Sequence, residues 1–176
     1  MAKLKIILFL HLISLSNYNL YAESIREGQT APGFDLPDQK GLFHNLKDYK
    51  GRWLVIYFYP KDDTPGCTTE AQNFTEKYTE FKNLNTEILG VSMDSIESHK
   101  EFAEKYNIPY PLLSDKDEIM STAYDVVREI PFMHHSKRQS FIINPSGVIV
   151  KHYPDVSPSS HTSEVLNDLV TLQSSL

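Results

Sequence analysis

Along this chain, short continuous apolar runs alternate with segments whose apolar residues recur every three or four positions. Residues 53–59, "WLVIYFY", are apolar or aromatic throughout, the composition of a strand buried on both faces of a parallel sheet. After the turn "PKDDTPG", residues Cys67, Ala71, Phe74, Tyr78 and Phe81 recur at alternating steps of four and three. That spacing predicts one face of a helix, with Glu70, Asn73, Glu76, Lys77 and Glu80 mostly on its other sides. A second buried strand, "EILGVSM" at 87–93, follows, so residues 53–93 read as a βαβ unit.

The pattern then repeats more loosely. Ser95 is placed to cap a helix reaching Tyr106, with Phe102 and Tyr106 on its inner side. "YPLLSD" predicts a short strand and "KDEIMSTAYDV" a short helix, while "SFIIN" and "VIVKHY" flank the turn "PSG" as a hairpin. From about Ser163, residues Val165, Leu166, Leu169, Val170 and Leu172 stand at helical spacing. Together these elements predict a three-layer α/β fold: a central mixed β-sheet flanked by helices, its last two strands antiparallel.

The N-terminus reads differently. Lys3 and Lys5 precede an apolar run, residues 6–15, broken only by His11 and Ser14, and a polar stretch ends in Leu20-Tyr21-Ala22. The run is short for a bilayer span, so residues 1–22 are expected to be a signal peptide and residues 23–176 one exported domain, periplasmic in a Gram-negative host. A buried N-terminal helix or an uncleaved anchor is the other reading. Without residues 1–22, 15 basic residues stand against 23 acidic ones, a net charge of −8. That balance disfavours nucleic acid and anionic membrane as partners. No repeat, low-complexity tract or linker divides the chain.

Cys67 is the chain's single cysteine, so no internal disulfide exists; the thiol is inert and buried, reactive, or paired with another chain. Thr64 stands where a helix N-cap is expected and Pro65 suits the first helical position, which puts Cys67 at the third. Amides of a first turn lack intrahelical partners and the helix dipole is positive there, so a thiolate is favoured. Asp62 and Asp63 oppose that effect if their carboxylates point inward.

These residues resemble a known family. Pro60, Thr64 and Cys67 form the P-x-x-x-T-x-x-C signature of the peroxiredoxins, and the chain is most similar to the bacterioferritin-comigratory-protein branch, also called peroxiredoxin Q. The likeness extends through "APGFDLPDQKG" (31–41), "VIYFYPKDDTPGCTTEA" (55–71), "LGVSMDS" (89–95), "FAEKYNIPYPLLSD" (102–115) and "RQSFIINPSG" (138–147). The resemblance implies a thioredoxin-like fold and a thiol-dependent peroxidase that reduces hydrogen peroxide and organic hydroperoxides without a metal or organic cofactor. It makes Cys67 the peroxidatic nucleophile, which becomes a sulfenic acid. Thr64 would hydrogen-bond the thiolate and the incoming peroxide, and Pro60 would shield the sulfur from water. Arg138 would supply a cation beside the sulfur, and Glu70 would hold that arginine.

One departure matters. Many members of this branch carry a second cysteine five residues after the first, and that position is Gln72 here. The chain resembles a one-cysteine variant, which implies an external thiol reductant, glutathione or a thioredoxin- or glutaredoxin-like protein. The expected assembly is a monomer or weak homodimer. A disulfide reductase would need C-x-x-C, and residues 64–67 read Thr-Pro-Gly-Cys; a copper module on this fold would need two cysteines. An exported non-catalytic or metal-binding interaction domain is the alternative function. His134, His135, His152 and His161 lack a ligand spacing and read as solvated loop residues. Asn73-Phe74-Thr75 is a formal glycosylation acceptor within a predicted helix.

Overall fold

The computed structural model describes residues 25–131 and 133–175, so the expected leader and its cleavage after Ala22 lie outside the described residues. In chain order, β1 (Asp35–Pro37) and β2 (Phe43–Asn45) form an antiparallel hairpin, and a 3-10 turn (Leu46–Tyr49) leads to β3 (Trp53–Phe58). Then come α1 (Pro65–Glu76), α2 (Tyr78–Asn83), β4 (Thr86–Ser92), α3 (Ile96–Tyr106), β5 (Leu112–Ser114) and α4 (Ile119–Ala123). A second hairpin, β6 (Val127–Ile130) and β7 (Met133–Ser136), precedes β8 (Gln139–Ile143), β9 (Ile149–Tyr153) and α5 (His161–Ser174).

The central sheet has the order β5-β4-β3-β8-β9. Strand β3 pairs parallel with β4 and β4 with β5, whereas β8 runs antiparallel to β3 and β9 antiparallel to β8. This is the expected mixed sheet, and the βαβ unit over 53–93 is present. Alternation sorts β3 between two cores. Trp53, Val55, Tyr57 and Tyr59 pack with Cys67, Phe74, Phe81, Phe102, Val165 and Leu169 on the face covered by α1, α2, α3 and α5. Leu54, Ile56 and Phe58 pack with Phe34, Leu36, Met120 and Tyr124 on the face covered by α4 and the N-terminal segment.

Three differences from expectation are informative. The helix over Cys67–Phe81 is two helices, broken at Lys77, with Cys67, Ala71 and Phe74 buried from the first and Phe81 from the second. No glycine or proline marks that break. The short strands β1, β2, β6 and β7 carry no clear alternation, and their pairing appears only in the folded chain. Helix α5 begins two residues before Ser163, at His161.

Gly90 in β4 shows how tightly the first core is packed. A Cβ there would lie 2.7 Å from Leu112 Cδ2 and 2.8 Å from the hydroxyl of Tyr57, which is itself hydrogen-bonded to Tyr110 at 3.1 Å. Gly90→Ala is therefore expected to destabilise the fold by about 1–3 kcal/mol, read as a fall in the denaturant midpoint. An unchanged midpoint would show that the tyrosine pair yields without cost.

Candidate active site

Strand β3 ends at Phe58, and residues 59–64 turn the chain back into α1. The turn needs a left-handed residue, supplied by Asp63 at φ 54°, a conformation that Asp tolerates better than most residues. Thr64 takes the N-cap position with extended backbone, Pro65 is the first helical residue, and Cys67 is the third, as the spacing predicts. The Thr64 hydroxyl makes no capping bond; it donates to the Lys61 carbonyl at 3.0 Å. Its proton is thus committed within the turn, and what it has left to offer a peroxide O–H is a lone pair.

Cys67 is 1% exposed. Arg138, immediately before β8, reaches it across the sheet: Nη2 donates to Sγ at 3.1 Å, and Nη1 donates to Glu70 Oε2. The planar guanidinium thus holds a sulfur with one prong and a carboxylate with the other. Gly66 makes room for it. A Cβ at that position would stand 3.3 Å from Arg138 Nη2 and 3.5 Å from Pro158. Helix α1 is itself anchored at both sides, by Tyr110 Oη donating to the Ala71 carbonyl at 3.0 Å and Asn73 Nδ2 donating to the Pro158 carbonyl at 3.1 Å.

Glu70 corrects the helical-face expectation. It is fully buried rather than turned to solvent, because its partner Arg138 lies inside the site. Its second oxygen, Oε1, has no protein partner among the described residues. Burial pushes its pKa up to about 7, and Arg138 only partly offsets that cost. The folded state therefore binds this proton more tightly than the unfolded chain. The resulting stability is present below the usual carboxyl range and is lost as pH rises through about 7. Glu70→Gln removes the titration. Raising the pH from 4.5 to 8 should shift the stability difference in favour of the Gln variant by on the order of 3 kcal/mol. Parallel pH profiles of the two proteins would contradict the assignment.

Pro60 is half-buried at the start of the turn and lines a surface groove with Lys61, Met93, Asp94, Met133 and His134. The two neighbouring acids do not face the sulfur alike. Asp63 is exposed and paired with Lys105 and Tyr106 of α3 at 2.6 and 2.7 Å, whereas Asp62 is buried against His99. Gln72 is exposed on α1. The structure thus brings Cys67, Arg138 and Glu70 into direct contact, with Thr64 and Pro60 on the turn beside them.

His161 and His152 depart from the expectation of solvated loops, whereas His134 is exposed as expected. His161 is fully buried, with Nε2 2.8 Å from Ser140 Oγ and Nδ1 without a hydrogen bond, 3.7 Å from Glu164 Oε2; burial first, and then Arg138, lower its pKa to about 4. His152 stacks on Phe141 with ring centroids 4.5 Å apart, and exposed His134 pairs with Glu118 at 2.9 Å. Among the described residues no group of three or more His, Cys, Asp or Glu could hold a metal ion. Asn73, the formal glycosylation acceptor, is half-buried and engaged with Pro158. No feature of the sequence around His99 or His161 marks them: each gains its surroundings from distant segments.

Comparison with known proteins gives the same family. The AhpC/TSA family pattern matches residues 27–152. Over 150 residues the chain is 42% identical to a putative peroxiredoxin bcp of Coxiella burnetii, covering 83% of this chain and 99% of that one. It is 39% identical over 150 residues to peroxiredoxin Bcp of Bacillus subtilis, covering 83% and 96%. Among solved structures, Xanthomonas campestris peroxiredoxin Q superposes with a TM-score of 0.75 at 39% identity, covering 78% of this chain and 90% of that one. A cysteine-to-serine mutant of Xylella fastidiosa PrxQ gives 0.80 at 35%, covering 86% and 99%. With a thioredoxin-like fold and a single cysteine, the chain belongs to the AhpC/TSA family as a peroxiredoxin of the Bcp/peroxiredoxin Q branch, a thiol-dependent peroxidase.

Proposed function

We propose that Cys67 is the peroxidatic nucleophile, that it turns over through a sulfenic acid, and that an external thiol resolves it. The observation that carries this reading is Arg138 Nη2 at 3.1 Å from Sγ, at the third residue of a helix whose first-turn amides also favour an anion. The thiolate attacks one peroxide oxygen; an S–O bond forms as the O–O bond breaks. The departing hydroxide or alkoxide takes a proton and leaves as water or alcohol, and Cys67 keeps one oxygen as the sulfenic acid. Charge develops on the departing oxygen, and Arg138 and the α1 amides are the donors available to stabilise it, while the oriented Thr64 hydroxyl offers its lone pair to the peroxide O–H. Hydrogen peroxide and organic hydroperoxides both supply the required O–O bond.

The second half of the cycle needs a thiol from outside, because the chain has no other cysteine. That thiol attacks the sulfenic sulfur, forms a mixed disulfide and releases water; a second thiol then frees Cys67. Glutathione and a thioredoxin- or glutaredoxin-like protein both fit this role. A Cys67–Cys67 bond between two copies is the harder route. The sulfur is 1% exposed, so both turns would have to open to bring two sulfurs to bonding distance, about 2.05 Å. The working unit in this reading is a monomer or weak homodimer. The basic and apolar leader, residues 1–22, supports export to the periplasm, with residues 23–176 as the mature domain.

Intact mass tests the cycle. One equivalent of peroxide added to the reduced mature protein should give a species one oxygen heavier that dimedone traps. Glutathione should convert it to a mixed disulfide that a second thiol releases. Excess peroxide without thiol should inactivate the protein through a form two oxygens heavier. If the main product is a disulfide-linked dimer that turns over with a thioredoxin-type reductant, resolution belongs to the neighbouring subunit instead.

A further inference from the structure

Behind the catalytic turn lies a buried polar cluster that the peroxide chemistry described above does not use. Asp62 is 7% exposed and His99, on α3, is 0% exposed. His99 Nδ1 is 2.8 Å from Asp62 Oδ2, and its Nε2 is 3.1 Å from the Leu113 carbonyl of β5. Tyr59 Oη donates to Asp62 Oδ1 at 2.7 Å and lies 3.3 Å from His99 Nδ1, while Ser98 Oγ donates to Asp62 Oδ2 at 2.8 Å. The Asp62 backbone N–H donates to Asp94 Oδ2 at 2.9 Å, which also accepts from Ser92 Oγ at 2.7 Å.

Proton counting narrows the possibilities. A carbonyl oxygen only accepts, so Nε2 of His99 carries a proton. Tyr59 has one hydroxyl proton and gives it to Asp62, so toward Nδ1 its oxygen is an acceptor. Burial, and then Asp62, keep that phenol protonated. Between Nδ1 and Asp62 Oδ2 there is therefore one proton, held by the ring or by the acid. Tyr59 and Ser98 both donate to Asp62, the hydrogen-bond set of an acceptor-only side chain, and that geometry points to the shared proton lying on the ring.

We propose that His99 is a positioning residue for the peroxidase reaction: a buried imidazolium that, paired with the Asp62 carboxylate, fixes the turn bearing Pro60 and Thr64 against α3 and β5. The pair carries no net charge, so Asp62 precedes the sulfur in the turn without adding a free anion. The same arrangement explains why two consecutive acids can precede a thiolate: Asp63 is turned outward to Lys105, and Asp62 is neutralised inward. Because a buried charge left without its partner is costly, the two side chains act as one unit. The proposal rests on Cys67 being the nucleophile, and its first readout does not involve activity.

Long-range ¹H–¹⁵N NMR of the reduced wild-type protein at pH 7.5 should show protons on both ring nitrogens of His99; an unprotonated ring nitrogen would overturn the proposal. Stopped-flow oxidation by peroxide, measured well below the melting temperature, provides the second readout. His99→Gln and Asp62→Asn should each slow the reaction tenfold or more, and the double variant should be no slower than the slower single one. Losses that simply multiply in the double variant would show that the residues do not act as a pair. Asp62→Asn preserves the side chain's shape while exchanging one acceptor oxygen for an NH2 donor, and it reads out even where His99→Gln fails to fold. A wild-type rate in Asp62→Asn would overturn the positioning role.

Discussion

Replacing Cys67 by serine is expected to leave a folded protein that consumes peroxide only at background rate. The side chain is small and 1% exposed, so exchanging sulfur for oxygen changes packing little. The chemistry changes completely. A serine hydroxyl is not ionised beside Arg138 at neutral pH as a thiol can be, and it cannot take an oxygen atom from peroxide. No other thiol in the chain could substitute. Circular dichroism and a melting curve check the fold, and peroxide loss with excess thiol checks the rate. Consumption above background by the folded variant would refute Cys67 as nucleophile.

Arg138→Lys should lower the second-order rate with peroxide by about 10²–10³, the usual consequence of losing one preorganised donor. The substitution keeps the charge and loses the fork. In the structure one prong contacts Sγ at 3.1 Å and the other Glu70, and a lysine ammonium is a single point of charge that cannot occupy both positions. If it follows Glu70, whose carboxyl is otherwise buried without a partner, the sulfur loses its cation. If it follows the sulfur, Glu70 is stranded. Stopped-flow rates within twofold of wild type would remove Arg138 from the reaction.

Within the described residues, what could be read from the sequence was whatever local spacing encodes. Continuous apolar runs marked β3 and β4 because strands buried on both faces have no polar side to show. The turn-forming "PSG" marked the β8–β9 hairpin, where Asn144 Oδ1 accepts the Ser146 and Val148 amides at 3.0 Å. Thr64-Pro65 marked the start of α1 and so put Cys67 in its first turn. In each case the physical determinant lies within a few residues along the chain.

The tertiary structure decided what depends on residues far apart in sequence. Nothing local says that Arg138, 71 residues from Cys67, lies beside it; the antiparallel pairing of β8 with β3 brings it there. Helical periodicity put Glu70 on a polar side, yet it is buried, because an arginine from the segment just before β8 enters the site to meet it. His161 looked like a loop histidine and is enclosed by Phe74, Tyr153 and Ser140. Asp62 looked like an ordinary turn residue and is tied to His99 across 37 positions. The sequence by itself determined where the single thiol stands, its helix and the order of the central strands along the chain, since those follow from local propensity and apolar pattern. Only the folded chain decided which charges are paired and which are buried, because those depend on desolvation and on partners that distant strands deliver.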